Sequence, residues 1–144
     1  MEAAVLSAMV GRLLPSGVPG LPGANETGVV DFIDGQMSTR AFRPARQFLR
    51  RGVILLERVA RKERKKAFVE LSPREQDDIL SRFQSGRVQG LRFPTARFFD
   101  IMLTLTLEGH LSHPRHGGNQ DRKAWKALGI DPQCPHEVNG HSHG

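Results

Sequence analysis

Three histidines, His110, His113 and His116, recur every third residue in LEGHLSHPRHGGNQDRKAWKALGI, which runs from Leu107 to Ile130. Imidazoles ligate zinc, copper or iron, and a three-residue step could bring them together on a helix. Gly109 and Pro114 interrupt helical geometry around that run, and Gly117-Gly118 continues it as loop. A metal site needs three or four converging ligands with a supporting shell. The spacing does not supply that, so the three read as exposed or interface histidines. The Gly117-Gly118-Asn119 step could face a phosphate, yet phosphate cradles follow a strand and carry further glycines. Two glycines permit positive φ and close backbone approach, and Asn119 or Asp121 is placed to cap a following helix. Trp125 is then either a clamp onto the domain's own core or a large interface anchor.

Other groups could react in principle. Asp100 and Glu108 lie eight residues apart, about two helical turns, so both could share one face and do acid–base work. With no nucleophile or cofactor motif beside them, an ion pair with Arg97 or Arg12 is the expectation. Cys134 sits between prolines without a His/Asp arrangement on ordered structure, so it is not read as a nucleophile. Cys134, His136, His141 and His143 together resemble the tails that bind adventitious metal. No residue is assigned as catalytic, cofactor-binding or metal-ligating. The reading is of a chain that is not an enzyme and carries no cofactor.

The elements that must position these groups are helical. Val5, Leu6, Met9, Val10, Leu13 and Leu14 form an amphipathic stripe from Glu2 to Leu14. PSGVPGLPGANETG follows, with three prolines and four glycines, and must be a long irregular loop. Thr27 is expected to cap a helix with Val29, Val30, Ile33 and Met37 inside and Asp31 and Asp34 in its early turns. Pro44 opens the next helix, with Phe48, Gly52, Leu55, Leu56 and Val59 on one face and RKERKK at its wet end. In LSPREQDDIL, Ser72, Pro73 and Glu75 sit at the N-cap, first and third positions, a capping box. Ile79, Leu80 and Phe83 are its buried edge. Pro94 starts a helix whose stretch from Phe98 to Leu107 is apolar nearly all round, as befits a central helix. The alternation in LTLTL also allows a strand, but no second strand exists to pair with it. A short helix near Asp121 to Leu128 closes the domain.

The fold expected is therefore all-α. It is a small bundle of five or six helices, with a long Gly/Pro-rich loop near the N-terminus and a structured Gly-Gly-Asn loop near the C-terminus. Residues 1–130 form the single domain, and residues 131–144 a flexible His-containing tail. At 144 residues the chain is long enough for one core. One cysteine forms no internal disulfide and leaves the redox compartment open. No apolar run of about 18 residues spans a membrane. The N-terminus lacks the parts of a signal peptide, so the chain as given reads as cytoplasmic.

Net charge is +6, and the excess is local. Residues 40–66 hold eleven Lys/Arg against two Asp/Glu, a net +9, while the remainder holds ten basic and thirteen acidic residues. Arg46, Arg50, Arg51, Arg58, Arg61 and Lys62 make this a basic surface, suited to an anionic partner such as nucleic acid or membrane headgroups. It lacks interleaved aromatics and a recognition-helix motif, so the basic-module reading stands as the alternative, with no nucleic acid expected.

TLEGHLSHPRHGGNQDRKAWKALGI closely resembles the closing motif of the gluconate 2-dehydrogenase subunit 3 family. The residues that carry it are Thr106, Glu108, Gly109, Pro114, Gly117, Gly118, Asn119, Trp125 and Gly129. RLLP (Arg12–Pro15), VVDFID (Val29–Asp34), LSPREQDDIL (Leu71–Leu80) and Phe98-Phe99 fit the family's order, so the resemblance spans roughly Val5 to Ile130. The position of His116 is more often aromatic in that family. The resemblance implies an accessory subunit without chemistry of its own. It would bind and stabilise, and help mature or export, a large subunit that resembles glucose–methanol–choline (GMC) oxidoreductases and holds FAD. A c-type cytochrome subunit would take the electrons. Glu108, Gly109, Pro114, His116, Gly117, Gly118, Asn119 and Trp125 would form the loop that meets the partner. Family members often begin with a twin-arginine export signal, whereas Arg50-Arg51 here is internal and mid-helix. Export with the partner would place the chain in the periplasm.

Overall fold

The structure, a computed structural model, describes residues 3–88, 90 and 92–130. Glu2 and the tail from 131, with Cys134, His136, His141 and His143, lie outside the described residues. Six α-helices are present among the described residues: α1 (Ala3–Leu13), α2 (Val29–Ser38), α3 (Arg43–Arg64), α4 (Pro73–Gln84), α5 (Thr95–Leu111) and α6 (Lys123–Leu128). Short 3-10 turns join several of them, and no described residue is in a strand. The all-α bundle expected from the apolar spacing is the fold observed.

The helix boundaries follow from local chemistry. In α4 the Ser72 hydroxyl accepts from the Glu75 N–H at 3.3 Å, and the Glu75 carboxylate accepts from the Ser72 N–H at 2.9 Å. These bonds hold the Glu75 carboxyl below the usual carboxylate range. α3 has Pro44 in its first turn and stops where Lys65 turns left-handed at φ 59°, its N–H closing on the Arg61 carbonyl. LTLTL is helical throughout. Thr106, fully buried, donates its hydroxyl to the Met102 carbonyl at 2.7 Å. That bond to residue i−4 lets a polar side chain sit inside the helix despite the strand-like alternation. One expected cap is different. α2 starts from Gly28, in the left-handed region at φ 74°, with no side-chain cap. Thr27 is buried and bonded elsewhere, so its hydroxyl is not available for the cap.

α5 is the central helix, packing against α1, α2, α3 and α4. Phe98 is fully buried at the middle of the core, with Phe83 and Phe93 edge-on at 6.1 Å and Phe48 stacked on Phe93 at 4.9 Å. A Cβ at Gly52 would overlap the Phe98 ring, so α3 lies against α5 because that position has no side chain. Leu6, Met9, Ile33, Leu56, Ile79 and Met102 fill the remaining space with no exposure. Each such side chain contributes about 1.5–3 kcal/mol by burial. Ion pairs fasten the outside. The Arg12 guanidinium meets Asp77 through two bonds of 2.8 Å, joining α1 to α4 and holding the Asp77 carboxyl low. Arg82 binds Glu63 at 2.6 Å, joining α4 to α3. Surface pairs of this kind add about 0–1 kcal/mol each.

The central helix is not covered all round, as its composition suggested. Asp100, Thr104, Leu107, Glu108 and Leu111 are exposed along one side of it. That strip also corrects the expected ion pair. Asp100 and Glu108 are exposed and meet no cation among the described residues. Arg12 is taken by Asp77, and Arg97 lies 5.8 Å above the Phe48 ring.

Candidate functional site

The motif residues come together where the end of α5, the loop to α6 and the turn before α2 meet. Gly109 and Gly118 touch through their backbones. A Cβ on Gly118 would overlap the Gly109 carbonyl oxygen, and a Cβ on Gly109 would stand 2.8 Å from the Phe32 ring. This spacing requires glycine at both places, and it is what the pair does in the loop. Gly117, half-buried, turns left-handed at φ 92° to close the 3-10 turn Pro114–His116.

Asn119 is fully buried and joins both strands of the loop. Its side-chain carbonyl accepts from the Ala124 N–H at 2.9 Å, and its amide donates to the Ser112 carbonyl at 3.1 Å. It thus caps α6 from inside the loop, one of the two candidates that the sequence offered. The backbone here is strained: Asn119, Asp121 and Arg122 all have positive φ, at 44°, 56° and 55°. The α-helix accordingly begins at Lys123, two residues later than the Asp121 start expected. Trp125 is half-buried, its indole N–H donating to the Leu111 carbonyl at 2.9 Å and its ring meeting the edge of His113 at 5.7 Å. It ties α6 to the end of α5.

The loop is also sewn to the segment before α2. The Gln120 N–H donates to the Thr27 carbonyl at 3.0 Å, and its side-chain amide donates to Asp31 at 3.0 Å. Lys123 reaches the Glu26 carbonyl at 3.3 Å. His110 Nδ1 lies 3.0 Å from the Thr27 hydroxyl, which itself donates to the Ala24 carbonyl at 3.1 Å. The Thr27 hydroxyl and the His110 imidazole thus share a hydrogen bond inside the fold. This bond, which neither residue's neighbours in sequence announce, joins two segments 83 residues apart.

The three histidines thus do different things. His110 is buried, contrary to the exposed setting expected for it, because the Thr27 hydroxyl offers an internal partner. Burial pushes its pKa below the usual histidine value. His113 and His116 are exposed. His113 accepts from the Arg115 N–H at 3.3 Å, and His116 accepts from the Arg115 side chain at 3.1 Å. Among the described residues no group of three His, Cys, Asp or Glu side chains is placed to hold one metal ion.

Two surfaces flank this construction. One is a groove of about 350 Å³ lined by Phe42, Asp100, Ile101, Thr104, Leu105 and Glu108. Leu107 and Leu111, each 43% exposed, continue α5 from there to the motif loop. The other is the outer side of α3, where Arg50, Arg51, Arg58, Arg61 and Lys62 are all exposed; Arg46, also exposed, lies instead toward α2 beside Asp34 and Met37. No helix among the described residues is long and apolar enough to cross a membrane.

Comparison with known proteins returns one family. The family described as Gluconate 2-dehydrogenase subunit 3 matches residues 1–132, most of the chain. No curated protein and no solved structure matches. The match takes in the helices of the bundle as well as the Gly-Gly-Asn loop and Trp125, and it agrees with the resemblance carried by those motifs. The chain belongs to the gluconate 2-dehydrogenase subunit 3 family.

Proposed function

We propose that this chain is a non-catalytic accessory subunit that binds and stabilises a large FAD-dependent dehydrogenase subunit of the GMC type. The observation that carries the reading is the uncovered strip of the central helix, on which Leu107 and Leu111 stand beside Glu108. A helix at the middle of a bundle is normally covered. Here Leu107 and Leu111 are left open beside the motif loop, and neighbouring apolar exposure of this kind marks contact surfaces. The family's own description, a dehydrogenase subunit, supplies the class of partner.

In this reading the motif residues divide by position. Gly109, Gly118 and Asn119 are buried and set the loop's shape. Glu108 and His116 are exposed, and they meet the partner together with Leu107, Leu111 and the rim of Trp125. Pro114 and Gly117 hold the turn that presents His116. FAD belongs to the partner, a c-type cytochrome subunit accepts the electrons, and the complex matures or is exported as a unit. The test is co-purification with the GMC-type subunit of the same host, scored by flavin absorbance. Wild type carries flavoprotein with it. Leu107→Glu combined with Leu111→Glu, both at exposed sites, keeps the helical spectrum and loses the flavoprotein. Equal retention by wild type and variant rejects the α5 contact.

A further inference from the structure

We infer that the outer face of α3 is a second docking surface, built to meet a carboxylate-rich protein surface on the dehydrogenase subunit. The inference rests on the accessory-subunit reading and adds the chemistry of the partner's face.

α3 is 22 residues long, about 33 Å. Its buried side carries Leu49, Gly52, Val53, Leu56, Val59 and Ala60. At about 100° per residue, Arg43, Arg50, Arg51, Ile54, Arg58, Arg61 and Lys62 fall within about 120° on the opposite side. All seven are exposed. Elsewhere Arg12 meets Asp77, Arg64 meets Asp78 and Arg82 meets Glu63. On the outer face Arg61 meets its own neighbour Glu57 at 2.6 Å. Arg43, Arg50, Arg51, Arg58 and Lys62 meet no carboxylate among the described residues. Arg58 and Lys62, four apart, repel one another. The face therefore costs the isolated domain stability, and an anionic ligand removes that cost.

Four observations favour protein over lipid or nucleic acid. The cations are nearly all arginine, which is enriched at protein interfaces where lysine is depleted. Ile54, 38% exposed, lies among them in an open groove of about 530 Å³ with Glu57, Arg58, Arg61 and Lys62, an apolar anchor inside a charged rim. The apolar side of α3 is committed to the core, so the helix cannot insert into a bilayer. Its aromatic Phe48 is stacked on Phe93 rather than offered to a base. The face is also continuous with the first surface, because Phe42 lines the α5 groove and immediately precedes Arg43.

The experiment measures retention of the co-expressed flavoprotein subunit by wild type and by Arg50→Glu with Arg58→Glu, at low and high salt, with anionic phosphatidylglycerol vesicles and duplex DNA as parallel probes of the purified chain. Wild-type retention of the flavoprotein falls with salt. The double reversal weakens it by about tenfold or more and flattens the salt dependence. If the reversal alters the helical spectrum, Arg50→Gln with Arg58→Gln replaces it, with a smaller loss expected. Equal flavoprotein retention by wild type and variant overturns the α3 surface and leaves the accessory reading standing. So does salt-sensitive binding to vesicles or DNA that the reversal abolishes while flavoprotein binding is unchanged. Failure of wild type to bind flavoprotein at all overturns both.

Discussion

His110 shows how one side chain connects the family motif to the distant N-terminal loop. Buried, with its pKa pushed below the ordinary histidine value by that burial, it gives stability that depends on pH. Below about 6.5 the unfolded chain takes a proton at this imidazole that the folded chain resists. Stability contributed by His110 is therefore complete above that value and lost as pH falls toward the lower folded one. Urea denaturation across this window should show the decline, and His110→Asn should remove it. The carboxylates held low by Arg12 and Arg82, Asp77 and Glu63, act further down, losing their contribution only as pH falls below about 4. Gly118→Ala places a methyl against the Gly109 carbonyl; because backbone must move, a loss of about 1–3 kcal/mol is expected in thermal or urea unfolding. The need for glycine here was legible in the sequence as a permissive Gly-Gly step. What the step touches was not, since Gly109 lies nine residues earlier and Phe32 on another helix.

Helices were legible to the extent that their ends are written locally. Ser72, Pro73 and Glu75 specify the start of α4 without reference to the rest of the chain. Ser72→Ala should cost about 1 kcal/mol in unfolding free energy. The start of α2 was not legible. Thr27 is an apt cap by type, but its hydroxyl is claimed by Ala24 and His110, and the backbone turns at Gly28 instead. The open side of α5 escaped notice for a similar reason. A sequence apolar nearly all round reads as covered all round, and only the placement of α1 to α4 reveals the uncovered arc with Leu107 and Leu111. Between α3 and α5, Gly52→Ala puts a Cβ into the Phe98 ring. A loss of about 1–3 kcal/mol is expected, although alanine is the better helix former by about 1 kcal/mol; thermal denaturation reads which effect wins.

At the scale of the molecule, the domain has one core and two dissimilar outer faces that meet near Phe42. One is the uncovered strip of α5 next to the motif loop; the other is the arginine face of α3. The strong charge imbalance of residues 40–66 was plain in the sequence. That Arg43, Arg50, Arg51 and Arg58 share one face of α3, while Arg64 of the same segment finds Asp78, required the packed helices. The motif loop reads as a shaped support, with buried Asn119 at its centre and exposed Glu108 and His116 at its edge. Membership of the family makes the chain one subunit of a dehydrogenase assembly, and the central claim is that it works by holding a flavoprotein. The most direct measurement is size-exclusion chromatography of the chain expressed together with the GMC-type subunit of its own host, followed by flavin absorbance. The account predicts one flavin-containing peak holding both chains, with the large subunit losing flavin or aggregating when expressed alone. Separate elution of the two chains, with a large subunit equally stable in either case, would contradict it.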